Sequence, residues 1–74
     1  MSLAGTPLQK CVRITGIRHS GPLSHRLMEM GLVEGTEVLV IRRAPLGDPL
    51  QVRLGDYELS LRSSEADLVQ VAAL

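Results

Sequence analysis

The sequence has no phenylalanine and no tryptophan, and its single aromatic residue is Tyr57. Leucine and valine must therefore build the core, and the aromatic platforms on which proteins stack single-stranded nucleic acid are missing. It has one cysteine, Cys11, which excludes an intramolecular disulfide and a zinc-ribbon ligand set and agrees with a reducing cytoplasm. Cys11 itself reads as a small hydrophobe, buried or half-buried. Net charge is lacking too: eight Lys/Arg balance eight Asp/Glu, so no overall field draws nucleic acid or anionic lipid. No apolar run approaches the ~20 residues that span a bilayer, and the N-terminus has neither the basic nor the apolar region of a signal peptide. A soluble, cytoplasmic protein is expected. At 74 residues, one compact domain over 1–74 is expected, with residues 1–9 poorly ordered.

What is present is periodic. CVRITGI, residues 11–17, sets Val12 and Ile14 on one side and Cys11, Arg13 and Thr15 on the other, the period of a strand. The period then changes. Leu23, Leu27 and Met30 recur at i, i+4 and i+7, an apolar helical stripe, with Pro22 suited to the first helical position. With Met30 as C-cap, Gly31 falls where a left-handed backbone is wanted, and Leu32 follows to meet Leu27. Gly35 fits the third position of a turn over Val33-Glu34-Gly35-Thr36, so two glycines convert a helix into a strand within five residues.

TEVLVIRR, residues 36–43, is apolar on both faces at Val38 to Ile41 and reads as the central strand. APLGDP, with two prolines, marks an extended hairpin loop. Leu50, Val52 and Leu54 alternate with Gln51 and Arg53 as a third strand, and Gly55-Asp56 fits a two-residue type II′ turn. In the fourth strand Tyr57, Leu59 and Leu61 are expected to point inward. Ser64-Glu65-Ala66-Asp67 resembles the capping pattern of a single helical turn, and residues 68–71 close the structure as a fifth strand. The fold expected is mainly β: a small, highly curved five-stranded barrel, with one short helix inserted after the first strand and a helical turn before the last.

Chemistry is sparse. His19 and His25 are the only histidines, no Ser-His-Asp order occupies a recognisable elbow, and the glycines do not form a phosphate loop, so no enzyme is expected. His25 and Glu29 stand at i and i+4 on the helix with His19 just before it, a loose set of ligands for a weakly bound zinc or ferrous ion; no cofactor is required. Arg42, Arg43, Arg53 and Arg62 fall on adjacent strands and, in a neutral chain without stacking aromatics, read as ordinary exposed positions rather than a nucleic-acid groove. Two apolar residues stand out as exposed: Met28, opposite the helical stripe, and Leu46, at the hairpin tip between Pro45 and Gly47.

The stretch RLMEMGLVEGTEVLVIRRAPLGDPLQVRLGDYELSLRSSEADLVQV, residues 26–71, resembles the FeoA family of the bacterial ferrous-iron uptake system. Leu27, Gly31, Leu32 and Gly35 look like its helix-end and turn residues, Arg43, Ala44, Pro45, Gly47, Asp48 and Pro49 like its hairpin signature, and Leu61, Arg62, Glu65 and Ala66 like its closing motif. One departure is Leu8-Gln9-Lys10, where family members commonly have a glycine turn before the first strand. The resemblance implies an SH3-like barrel with an added helix. It also implies an accessory or regulatory role at the membrane transporter FeoB, which carries a cytoplasmic guanine-nucleotide-binding domain. A contact on Ala44, Pro45, Leu46, Gly47, Asp48 and Pro49 and around Met28 is then expected, without insertion into the membrane and without nucleic acid. Open barrel edges leave a homo-oligomer available. The same barrel also occurs as a domain of iron-dependent repressors, so a metal-responsive regulator domain and a metal-ion-binding module are the alternatives.

Overall fold

The computed structural model describes residues 1–18 and 21–74. Five strands, β1 (Cys11–Ile17), β2 (Glu37–Arg43), β3 (Leu50–Leu54), β4 (Tyr57–Leu61) and β5 (Val69–Ala73), form one antiparallel sheet in the order β4-β3-β2-β1-β5. Helix α1 (Pro22–Glu29) follows β1, and the single turn α2 (Ser63–Ala66) precedes β5. The strand alternation read from the sequence is the alternation of burial: Val12, Ile14, Val38, Val40, Leu50, Val52, Leu61, Val69 and Val71 enter one core. With ~1.5–3 kcal/mol for each fully buried aliphatic side chain, this core carries the fold without an aromatic ring. β2 is central, but Leu39 and Ile41 are only half-buried, because one face of the sheet stays wet.

The junction between α1 and β2 closes as its glycines require. The Leu32 N–H donates to the Leu27 carbonyl at 3.1 Å and the Gly31 N–H to the Met28 carbonyl at 3.0 Å, with Gly31 at φ 101°, the double closure of a left-handed helix cap. At the next turn the Thr36 N–H donates to the Val33 carbonyl at 3.1 Å with Gly35 at φ 92°.

Several expectations need correction. Leu23 is 37% exposed, and the buried face of α1 is Ser24 and Leu27. The Ser24 hydroxyl donates to the Gly21 carbonyl at 2.9 Å, so burying this small polar side chain leaves nothing unsatisfied. Tyr57 does not point inward: it is 45% exposed and its hydroxyl donates to the Met30 carbonyl, one of the orphan acceptors at the end of α1. Helical turn α2 is capped two residues earlier than its Ser-x-x-acid pattern proposes. Arg62 is the N-cap, its N–H donating to Glu65 Oε1 at 2.9 Å, while the next N–H, of Ser63, donates to Asp48 Oδ1 at 2.9 Å. The cap oxygen thus comes from the hairpin loop rather than from the turn's own serine.

The N-terminal residues also differ from the loosely held segment expected. Leu3, in a 3-10 turn over Leu3–Gly5, is completely buried, the Met1 carbonyl accepts from the Val71 N–H at 2.9 Å, and Arg43 Nη2 donates to the Ala4 carbonyl at 2.6 Å. An apolar anchor and paired backbone groups hold this segment along the outer side of β5.

Candidate functional site

The loop between β2 and β3 is short of regular structure but not of bonds. The Ala44 N–H donates to the Pro49 carbonyl at 3.0 Å and the Gly47 N–H to the Ala44 carbonyl at 2.7 Å, which makes Ala44 to Gly47 a β-turn with Pro45 at its second position, where the ring's fixed φ is favoured. Asp48 ties the far side of the loop to Ser63, and the Ser63 hydroxyl reaches the Gly47 carbonyl at 3.4 Å. On this braced turn Leu46 is 97% exposed, far more than any other large apolar side chain among the described residues. Holding it in water forgoes ~1.5–3 kcal/mol that burial would return.

Ala44 and Gly47 are half-buried, whereas Pro45, Asp48 and Pro49 are exposed beside Leu46. Below the tip runs a groove lined by Arg42, Arg43, Pro45, Pro49, Gln51 and Ser60. A second groove, lined by Asp48, Pro49, Ser60 and Arg62, adjoins it through the shared Pro49 and Ser60. Arg62 arrives from β4 because Leu50 pairs with Leu61 across the sheet, a juxtaposition that linear spacing does not display. Arg42 Nε donates to Gln51 Oε1 at 2.7 Å, and Gln51 in turn donates to Glu58. Arg53, on the neighbouring β3, is taken up by Glu58 at 2.8 Å. That hydrogen bond, reinforced by the bond from Gln51 and the charges of Arg53 and Arg42, holds the Glu58 carboxyl below its ordinary value.

Met28 is exposed as expected, but elsewhere. It lines a separate groove with Ile17, Ser24, His25, Val33 and Glu34, which shares no residue with those at the hairpin. The structure therefore does not unite Met28 and Leu46 in one patch. His25 and Glu29 are both exposed on α1, and His19 lies outside the described residues. Among the described residues no group of three or more His, Cys, Asp and Glu side chains could hold a metal ion. None of their helices is long and apolar enough to cross a membrane.

A family model, the FeoA domain, matches residues 1–73. The chain belongs to the FeoA family. A Porphyromonas gingivalis protein, Fe(2+) transport protein A/Fe(2+) transporter FeoB fusion protein, is 40% identical over 60 residues, which are 81% of this chain and 7% of that one. The solution structure of iron(II) transport protein A from Clostridium thermocellum superposes with a TM-score of 0.94 at 36% identity, covering 100% of this chain and 46% of that one. A Stenotrophomonas maltophilia FeoA, crystallised with zinc and described as a procaryotic SH3 domain protein, superposes with a TM-score of 0.86 at 34% identity, covering 97% of this chain and 89% of that one. The fold is thus the expected one: mainly β, SH3-like, with a short helix inserted after the first strand.

Proposed function

We propose that this FeoA-family chain is a small accessory factor of ferrous iron uptake that acts by docking on the cytoplasmic part of a FeoB-type transporter, and that it neither transports the ion nor turns over a substrate. The observation that carries this reading is the Porphyromonas relative, in which a FeoA-type segment and a FeoB transporter share one polypeptide. Tethering of that kind raises the effective concentration of two parts that work together, and it is retained where contact is useful. A role as a ferrous iron transport activating factor has been suggested for the Stenotrophomonas protein as well. Within this chain the hairpin Ala44–Pro49 is the docking element, because a fully exposed leucine on a braced turn presents its apolar surface with little ordering left to lose. The Met28 groove is a second point of contact. The ferrous ion is cargo of the transporter, and the contact needs no metal.

The test is calorimetric titration of the purified chain into the transporter's cytoplasmic region, with and without a chelator. Leu46→Asp is expected to weaken binding by more than ~10-fold, as for a central apolar anchor, and Met28→Asp by less, while both variants keep the wild-type unfolding curve. The chelator is expected to change nothing. Wild-type affinity in both variants would reject the map.

A further inference from the structure

We infer that the surface met by the hairpin is an acidic face of the partner protein with an apolar recess for Leu46; this deepens the docking reading above and rests on it. Zero net charge hides a separation. Around Pro49 and Ser60 stand Arg42, Arg43 and Arg62; the lining holds one carboxylate, Asp48, one of whose oxygens already accepts the Ser63 N–H, and the neighbouring Glu58 is taken up by Arg53 and Gln51. Among the described residues neither Arg42 nor Arg62 has a carboxylate partner, unlike Arg13, Arg18, Arg26 and Arg53, which pair with Glu37, Asp67, Glu65 and Glu58.

The carboxylates left over are at the other end. Asp56 turns the β3–β4 hairpin away from the loop, Glu34 stands in the turn before β2, and Glu29 ends α1, whose last carbonyl takes the Tyr57 hydroxyl. The five residues of β3 alone separate the two ends by about 16 Å at ~3.3 Å per residue. Screening at physiological salt extends over only about 8 Å, so a partner at the hairpin meets the arginines without feeling the distant carboxylates. An exposed leucine on a turn whose adjoining grooves carry guanidinium groups fits a complementary surface in which carboxylates lie beside an apolar recess, an arrangement that speeds encounter and sets orientation. Three cations and one leucine are too few to hold a protein on a lipid surface, where stable anchoring takes a longer basic run or an acyl chain.

The experiment compares wild type with Arg42→Glu/Arg62→Glu and Arg42→Gln/Arg62→Gln, using the transporter's cytoplasmic region as probe, at 50 and 300 mM salt, with the unfolding midpoint of each variant checked. Arg43 is left intact because it bonds the Ala4 carbonyl. The expected result is at least a 10-fold loss for the glutamate pair and a smaller loss for the glutamine pair. The wild type is expected to weaken several-fold between the two salts, chiefly in its association rate, and the glutamate pair to lose that dependence. If Leu46→Asp abolishes binding while both arginine pairs and the salt change leave it within twofold, the acidic face is overturned and docking stands. If wild type does not bind the region at all, docking and the acidic face fall together. Arginine-dependent retention on phosphatidylserine vesicles, or arginine-dependent self-association in sedimentation, in place of binding to the region would also overturn the proposal, for lipid or for a second copy.

Discussion

Gln9 carries the one positive φ, 63°, found outside glycine among the described residues, at the turn where the family commonly has a glycine. Its N–H donates to the Val40 carbonyl at 2.6 Å and its side-chain amide to the Ile41 carbonyl at 2.8 Å, so the strained residue is held by β2. The left-handed conformation costs an L-residue about 1–2 kcal/mol, while glycine's extra backbone entropy costs roughly 0.5–1 kcal/mol. Gln9→Gly, which relieves the strain but loses the amide bond, worth about 0.5–1.5 kcal/mol, is therefore expected to stay close to wild type in urea unfolding, and Gln9→Ala, which keeps the strain and loses the same bond, to destabilise; the opposite order would refute this account. Gly31 shows the converse. At φ 101° a side chain is strained, and a Cβ there would also collide with the Tyr57 hydroxyl. Gly31→Ala should lose about 1–3 kcal/mol, and less in a Tyr57→Phe background, a coupling that a double-mutant cycle reads directly. The positive φ of Gly31 was legible because a helical stripe ended one residue before it. The place of Tyr57 was not, since strand alternation points it inward and only the neighbouring helix end offers its hydroxyl an acceptor.

Strands were the most legible elements, because a two-residue period in Val and Leu has one physical solution when a single face is buried. The helix was legible in extent but not in orientation: over two turns Leu23 and Ser24 compete for the inner face, and a hydroxyl bonded to its own helix makes the smaller residue acceptable there. On the outer face of β3 and β4 the ladder Arg42–Gln51–Glu58–Arg53 gives an electrostatic prediction. Because the folded carboxyl of Glu58 titrates below its unfolded value, chiefly through the Arg53 hydrogen bond, its contribution is present above the ordinary carboxylate range and is lost as pH falls through the lower folded value. Carbon-13 titration should place Glu58 below an ordinary glutamate. In Arg53→Met its midpoint should rise toward the ordinary range, and the acid-side loss of stability should shrink. An unmoved midpoint would show that Arg53 is not the cause.

At the scale of the whole molecule, function depends on parts that meet only through topology. The exposed loop and its Leu46 could be read from two prolines around Gly-Asp, whereas Arg62 beside that loop, and the separation of basic from acidic ends, required strand order and register. The same holds for Asp48, expected at the partner surface and found with one oxygen bracing the loop against α2. Asparagine at this position retains an oxygen that can accept the Ser63 N–H; alanine does not. Asp48→Ala is therefore expected to cost about 0.5–1.5 kcal/mol of stability, the net worth of one hydrogen bond, and to speed hydrogen exchange at the Ser63 and Gly47 amides. Asp48→Asn should leave both close to wild type. If the hairpin docks as proposed, Asp48→Ala must also bind the transporter's cytoplasmic region more weakly, although Leu46 is untouched, because the loosened loop has to be ordered on contact. The decisive comparison is exchange against affinity in the two variants. Faster exchange in Asp48→Ala with unchanged affinity would mean that the brace serves the fold and that a rigid Leu46 is no part of recognition.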